Sequence, residues 1–176
     1  CSNLTNFAVT IPLKGALKHK DSTGGEGVIK TGDVQIMSAG SGIMHSEHAT
    51  ADEDVNLFQI WVFPKKVNIE PRYDQRTFDE SDRENKWQIV VSPEEAHHAL
   101  WINQDAYFSL GNLDTATSYQ LNKADNGVYL MVIDGEIEID GTILSTRDGI
   151  GITEAKAFEI KVLQAAKLLV VEVPMK

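Results

Sequence analysis

Cysteine is nearly absent from this chain of 176 residues: Cys1 stands alone, so no internal disulfide can form. A fold held by its core alone suits a reducing compartment, and a cytoplasmic protein is expected. The start Cys-Ser-Asn, without Met, suggests that the chain has been cut. A trimmed N-terminus is preferred over a lipid-bearing Cys1, because no polar tether precedes the first strand. Basic residues are also few, 16 Lys and Arg against 26 Asp and Glu, which leaves a net charge of −10. That charge repels phosphate backbones and anionic lipid, so neither nucleic acid nor a membrane is expected as a direct partner. No apolar run approaches the roughly 18 residues of a membrane span. Helical periodicity is scarce too, the one candidate being a turn or two in Pro93–Leu100.

What remains is a chain of short alternating strands and turn residues, the pattern of a sandwich or barrel. Strands are predicted at Phe7–Leu13, Ala16–Lys20, Gly27–Lys30, Val34–Ser38, Ile43–Glu47, Val55–Phe63 and Gln88–Ser92. The stretch from Pro64 to Glu84 carries two prolines and many charges, which reads as a connection. The fold class is therefore all-β, with modules at 1–64 and 87–176 joined by 65–86.

An internal repeat supports two modules. Val9-Thr-Ile-Pro-Leu-Lys-Gly15-Ala-Leu-Lys echoes Tyr129-Leu-Met-Val-Ile-Asp-Gly135-Glu-Ile-Glu, and Thr31-Gly32-Asp33 recurs as Thr146-Arg147-Asp148. The step along the chain from Asp33 to His45 is the step from Asp148 to Ile160. Where the first copy carries His45-Ser-Glu47, the second carries Ile160-Lys-Val162, so any metal site belongs to the first module.

His45 and Glu47, two apart on a strand, share a face and can aim into a barrel interior. An imidazole and a carboxylate side by side suit a divalent first-row metal. From spacing alone, a hydrogen-bonded His–Glu pair without metal is the better reading. His19, between two lysines, is expected to be solvated, and His48, His97 and His98 to lie in polar loops.

Three strings carry a resemblance: Gly15-Ala-Leu-Lys-His-Lys-Asp-Ser22, Gly32-Asp-Val-Gln-Ile-Met-Ser-Ala-Gly-Ser-Gly-Ile-Met-His-Ser-Glu47 and Leu57-Phe-Gln-Ile-Trp-Val. They resemble the pirin family, and with the second half the likeness spans essentially the whole chain. It implies a bicupin, two jelly-roll β-barrel modules in tandem, with a divalent metal in the first. Iron is usual in the family, and nickel, zinc, manganese or copper are alternatives. The activity implied for some members is quercetin 2,3-dioxygenation, with a small aromatic flavonol as ligand and Glu47 as the catalytic base. His45 and Glu47 match the family's later ligand pair, and Cys1 and Asn3 fall where an earlier His-x-His pair belongs. The resemblance thus implies an incomplete metal site, and metal absent from the chain is one outcome. A non-catalytic cupin module acting through protein–protein contacts is the alternative reading. Strands missing before the first motif would leave apolar surface, so a homo-oligomer is expected.

Overall fold

The computed structural model describes residues 7–21, 26–38, 45–50, 54–66, 70–95 and 98–175; for Asp21, His45 and Glu47 the description covers the strand alone. The chain divides into two compact units, Cys1–Phe78 with Ile102–Gln104, and Asp79–Trp101 with Asp105–Lys176. No helix among the described residues is long and apolar enough to cross a membrane.

The first unit is built from β1 (Phe7–Lys14), β2 (Ala16–Asp21), β3 (Glu26–Lys30), β4 (Asp33–Ser38), β5 (His45–Ala49), β6 (Asn56–Val62) and β7 (Arg72–Thr77). These form two antiparallel sheets, ordered β6-β1-β4-β7 and β3-β2-β5. Residues 65–86, expected as a connection, thus include a strand: β7 pairs along the whole of β4. Its residues, Arg-Tyr-Asp-Gln-Arg-Thr, have no apolar alternation to announce it. Ile102–Gln104 holds the turn after β6, Lys65 N donating to the Asn103 carbonyl at 2.7 Å and Gln104 Nε2 to the Phe63 carbonyl at 2.7 Å.

Register sorts the larger sheet into two faces. Thr10 sits opposite Gln35, and Gln35 opposite Gln75. Because side chains alternate along a strand, these three share one face with Met37 and Tyr73, while Val9, Ile11 and Ile36 lie on the other. The polar face looks at the second sheet, since Tyr73 stacks on His19 of β2 and Gln75 Nε2 donates to the Val28 carbonyl of β3. All six residues of β4 are buried.

The second unit begins with a 3-10 turn at Glu80–Arg83, followed by β8 (Trp87–Ser92), β9 (Leu100–Trp101), β10 (Tyr107–Leu113), β11 (Thr117–Gln120), β12 (Asn126–Ile139), β13 (Thr142–Ser145), β14 (Gly149–Ile152) and β15 (Ala157–Pro174). The helical turn sought at Pro93–Leu100 is not formed by the described residues there, and Leu100 opens β9. Strand order is β13-β12-β15-β10-β8-β9, with β11 on β15 and β14 on β12. Strands of 14 and 18 residues must bend to close around a core, and the β12–β15 register shifts between Val132 and Ile137. Gly135 lies in that stretch at φ 93°, where an added Cβ would strike the Ala165 carbonyl. Leu113, Leu130, Val132, Ile137, Ile160 and Leu168 fill the interior.

The repeat read from the sequence recurs in hydrogen bonds. The Thr31 hydroxyl donates to the Gly15 carbonyl at 3.4 Å, and the Thr146 hydroxyl to the Gly135 carbonyl at 3.3 Å. Asp33 accepts from Lys30 N at 3.0 Å, and Asp148 from Ser145 N at 2.9 Å. Gly32 and Arg147, equivalent in the two turns, both adopt positive φ, 94° and 77°.

Candidate functional site in the first unit

His45 and Glu47 both lie on β5, which pairs antiparallel with β2 and sets Glu47 opposite His19 and His45 opposite Asp21. Cys1, Asn3 and His97 lie outside the described residues, as do the side chains of His45 and Glu47. His48 and His98 are exposed. Ile160, the counterpart of His45 in the repeat, is fully buried in the apolar core of the second unit, with Val162 packed against that core.

His19 departs from expectation: it is wholly buried, not solvated. Lys18 and Lys20 are exposed on either side of it, as period two requires of a strand with one face inward. Its ring stacks on Tyr73 with centroids 4.9 Å apart and planes 25° from parallel. Gly27, directly across from His19, makes room for this: a Cβ there would sit 3.1 Å from the Tyr73 hydroxyl oxygen.

Behind the stack a chain of hydrogen bonds holds Tyr73 in place. Its hydroxyl donates to Gln75 Oε1 at 2.9 Å, and Gln75 Nε2 donates to Asp33 Oδ2 at 3.0 Å. Asp33 also accepts from the Thr77 hydroxyl at 2.6 Å. The same aspartate that closes the β3–β4 turn thus anchors the polar wall. Sequence reasoning missed this wall, although the alternation Asp33-Val-Gln35-Ile-Met37 carries part of its signal.

One member of the wall has an open valence. Gln35 is 1% exposed, and among the described residues its Nε2 has no hydrogen-bond partner. An orphaned amide donor is costly inside a protein and calls for an acceptor.

Among the described residues, no group of three or more His, Cys, Asp or Glu is placed to hold a metal ion. The β2–β5 ladder sets His19, Asp21, His45 and Glu47 at adjoining register positions along the two strands. Borderline nitrogen and hard oxygen donors are the chemistry that first-row divalent metals accept, so the donor set fits such an ion.

Comparison with known proteins identifies the family. The pirin family profile matches residues 6–62, and the quercetinase C-terminal cupin domain matches residues 89–173. Quercetin 2,3-dioxygenase of Escherichia coli is 34% identical over 168 residues, covering 94% of this chain and 71% of the relative. The chain belongs to the pirin family. A pirin-like protein of Caulobacter vibrioides is 36% identical over 167 residues, covering 93% of this chain and 72% of its own length. The crystal structure of the bacterial pirin YhhW from E. coli, in complex with nickel(II), superposes with a TM-score of 0.89 at 32% identity, covering 97% of this chain and 73% of that one. The two units are accordingly the cupin modules of a pirin, and the polar interior belongs to the first.

Proposed function

We propose that this pirin is a metal-dependent oxygenase of the quercetin 2,3-dioxygenase type, working in its first module. The observation that carries the reading is the contrast of interiors within one fold. The first module turns His19, Gln35, Tyr73 and Gln75 between its sheets, while the second fills the equivalent place with Ile160, Leu130 and Ile137. Similarity to the E. coli quercetin 2,3-dioxygenase over 94% of the chain supports the choice of reaction.

In this reading His45 and Glu47 hold a divalent metal, with Cys1 and Asn3 standing where further ligands belong. Such an ion supplies a Lewis-acid centre for the 3-hydroxyl and adjacent carbonyl of a flavonol. Glu47 accepts the proton of the substrate hydroxyl, for which a carboxylate beside a metal is well suited. His19, opposite Glu47 and clamped by Tyr73, keeps that end of the ladder rigid.

Replacing two imidazoles by Cys1 and Asn3 lowers affinity, since even a lost supporting interaction costs about 10- to 100-fold. Weak quercetinase activity is therefore expected from the chain as it stands, rising with added metal. Metal content measured by mass spectrometry, alongside quercetin turnover, tests the reading. Cys1→His with Asn3→His should raise occupancy, and Glu47→Gln should abolish turnover. A protein that takes up no iron or nickel at excess and turns over no quercetin would sink the proposal.

A further inference from the structure

The donor of Gln35 is the feature that the proposed ligand set leaves unused. We infer that Gln35 is a substrate-binding residue, its Nε2 donating a hydrogen bond to an oxygen of the aromatic polyphenol bound inside the first module. The inference rests on the oxygenase reading above and names a residue that the metal does not need.

Position is the first argument. Gln35 lies in the middle of β4, between Thr10 of β1 and Gln75 of β7, on the face turned toward the β3-β2-β5 sheet. That sheet carries the β2–β5 ladder of His19 and Glu47, so Gln35 and the candidate ligands belong to facing sheets.

Bonding is the second. Gln75, its neighbour across the strands, is fully committed: its oxygen accepts from Tyr73, and its nitrogen donates to Val28 and Asp33. It therefore has no need of a ligand. Gln35 is more deeply buried than Gln75, and among the described residues its Nε2 has no partner. A buried donor left open is destabilising, and a ligand oxygen removes that cost on binding. The amide is neutral, so it can serve a carbonyl or phenolate oxygen without burying a charge of its own.

The test compares wild-type protein with Gln35→Met and Gln35→Glu. Quercetin affinity is measured by fluorescence quenching without oxygen, and metal content and thermal midpoint are recorded for each. Gln35→Met should weaken quercetin binding about tenfold, the loss of one hydrogen bond, with metal content unchanged. Its melting midpoint should equal or exceed that of the wild type, because an apolar side chain leaves no orphan donor. Gln35→Glu should bind more weakly still, since a carboxylate presents acceptors where a donor is required. Should Gln35→Met fail to fold, Gln35→Asn, which withdraws the amide by one methylene, replaces it in the comparison. Unchanged affinity in a folded variant that still binds metal would overturn this inference and leave the oxygenase reading intact. Wild-type protein that binds metal but no quercetin would overturn both.

Discussion

Between its sheets the first module buries Thr10, His19 and Gln35, backed by Tyr73 and Gln75. The second module buries Leu130, Val132, Ile137, Leu144 and Ile160, and its one deeply buried acid is Glu172. Glu172 differs in kind from the polar groups of the first module, because its valences are filled. It accepts from the Tyr119 hydroxyl at 3.1 Å, the backbone of Asn122 and Lys123 at 2.9 Å each, and the amides of Asn122 and Asn126 at 2.8 and 2.9 Å. A satisfied buried carboxylate ties a loop down, whereas an unsatisfied amide invites a ligand. The lesson is that the two modules share the glycine bend and the Asp-closed turn, while their interiors differ, polar in the first and apolar around one satisfied acid in the second.

The largest effect that would sharpen this contrast is expected at Glu172. Glu172→Leu removes an acceptor from five donors in the second module and should cost roughly 3–5 kcal/mol, read as a lower urea midpoint by tryptophan fluorescence. A near-neutral result would mean that the acid is not the keystone its bonds indicate.

The equivalent aspartates come next. Asp33 is 3% exposed and holds Lys30, Gln75 and Thr77, so Asp33→Ala should cost about 2–4 kcal/mol. Asp148 is exposed and its carboxylate accepts from Ser145 N alone among the described bonds, so Asp148→Ala should cost about 0.5–1 kcal/mol. Equal losses in the two variants would break the distinction between an anchor and a turn residue.

A smaller effect is expected with pH. Burial, then the Glu172 carboxylate, holds the Tyr119 phenol well above its ordinary value of 10.0. Burial, then the hydrogen bond to Glu94, does the same for Tyr107. A folded-state pKa above the unfolded one gives stability that is complete below pH 10 and is lost as pH rises toward the folded value. Tyr119 should therefore reduce the stability of the second module by about 1.4 kcal/mol per pH unit above 10, with Tyr107 acting in the same direction. Phenolate absorbance that grows only as this module unfolds would bear this out, and ordinary titration in the folded state would refute it.

Much of the fold was legible because period-two alternation and turn chemistry are local. The strands Phe7–Lys14, Ala16–Asp21 and Asn56–Val62, the Thr31-Gly32-Asp33 turn and the glycine of each repeat all follow from neighbours in sequence. β7 was not legible, because a polar strand paired to β4 and facing a polar interior shows no hydrophobic period. His19 misled for a related reason: its flanking lysines are solvated, yet that very alternation turns His19 inward.

The sequence by itself determined where the candidate ligands stand, since His45 and Glu47 occupy one copy and Ile160 and Val162 the other. It also determined the bends, because positive φ at Gly15 and Gly135 depends on the residue itself. Tertiary structure alone decided which polar side chains lie inside. His19 meets Tyr73, Gln75 meets Asp33, and Gln35 Nε2 is sealed without a partner among the described residues only when strands far apart in the chain pack face to face. Burial and hydrogen-bond satisfaction are properties of that packing, and no local window of residues contains them.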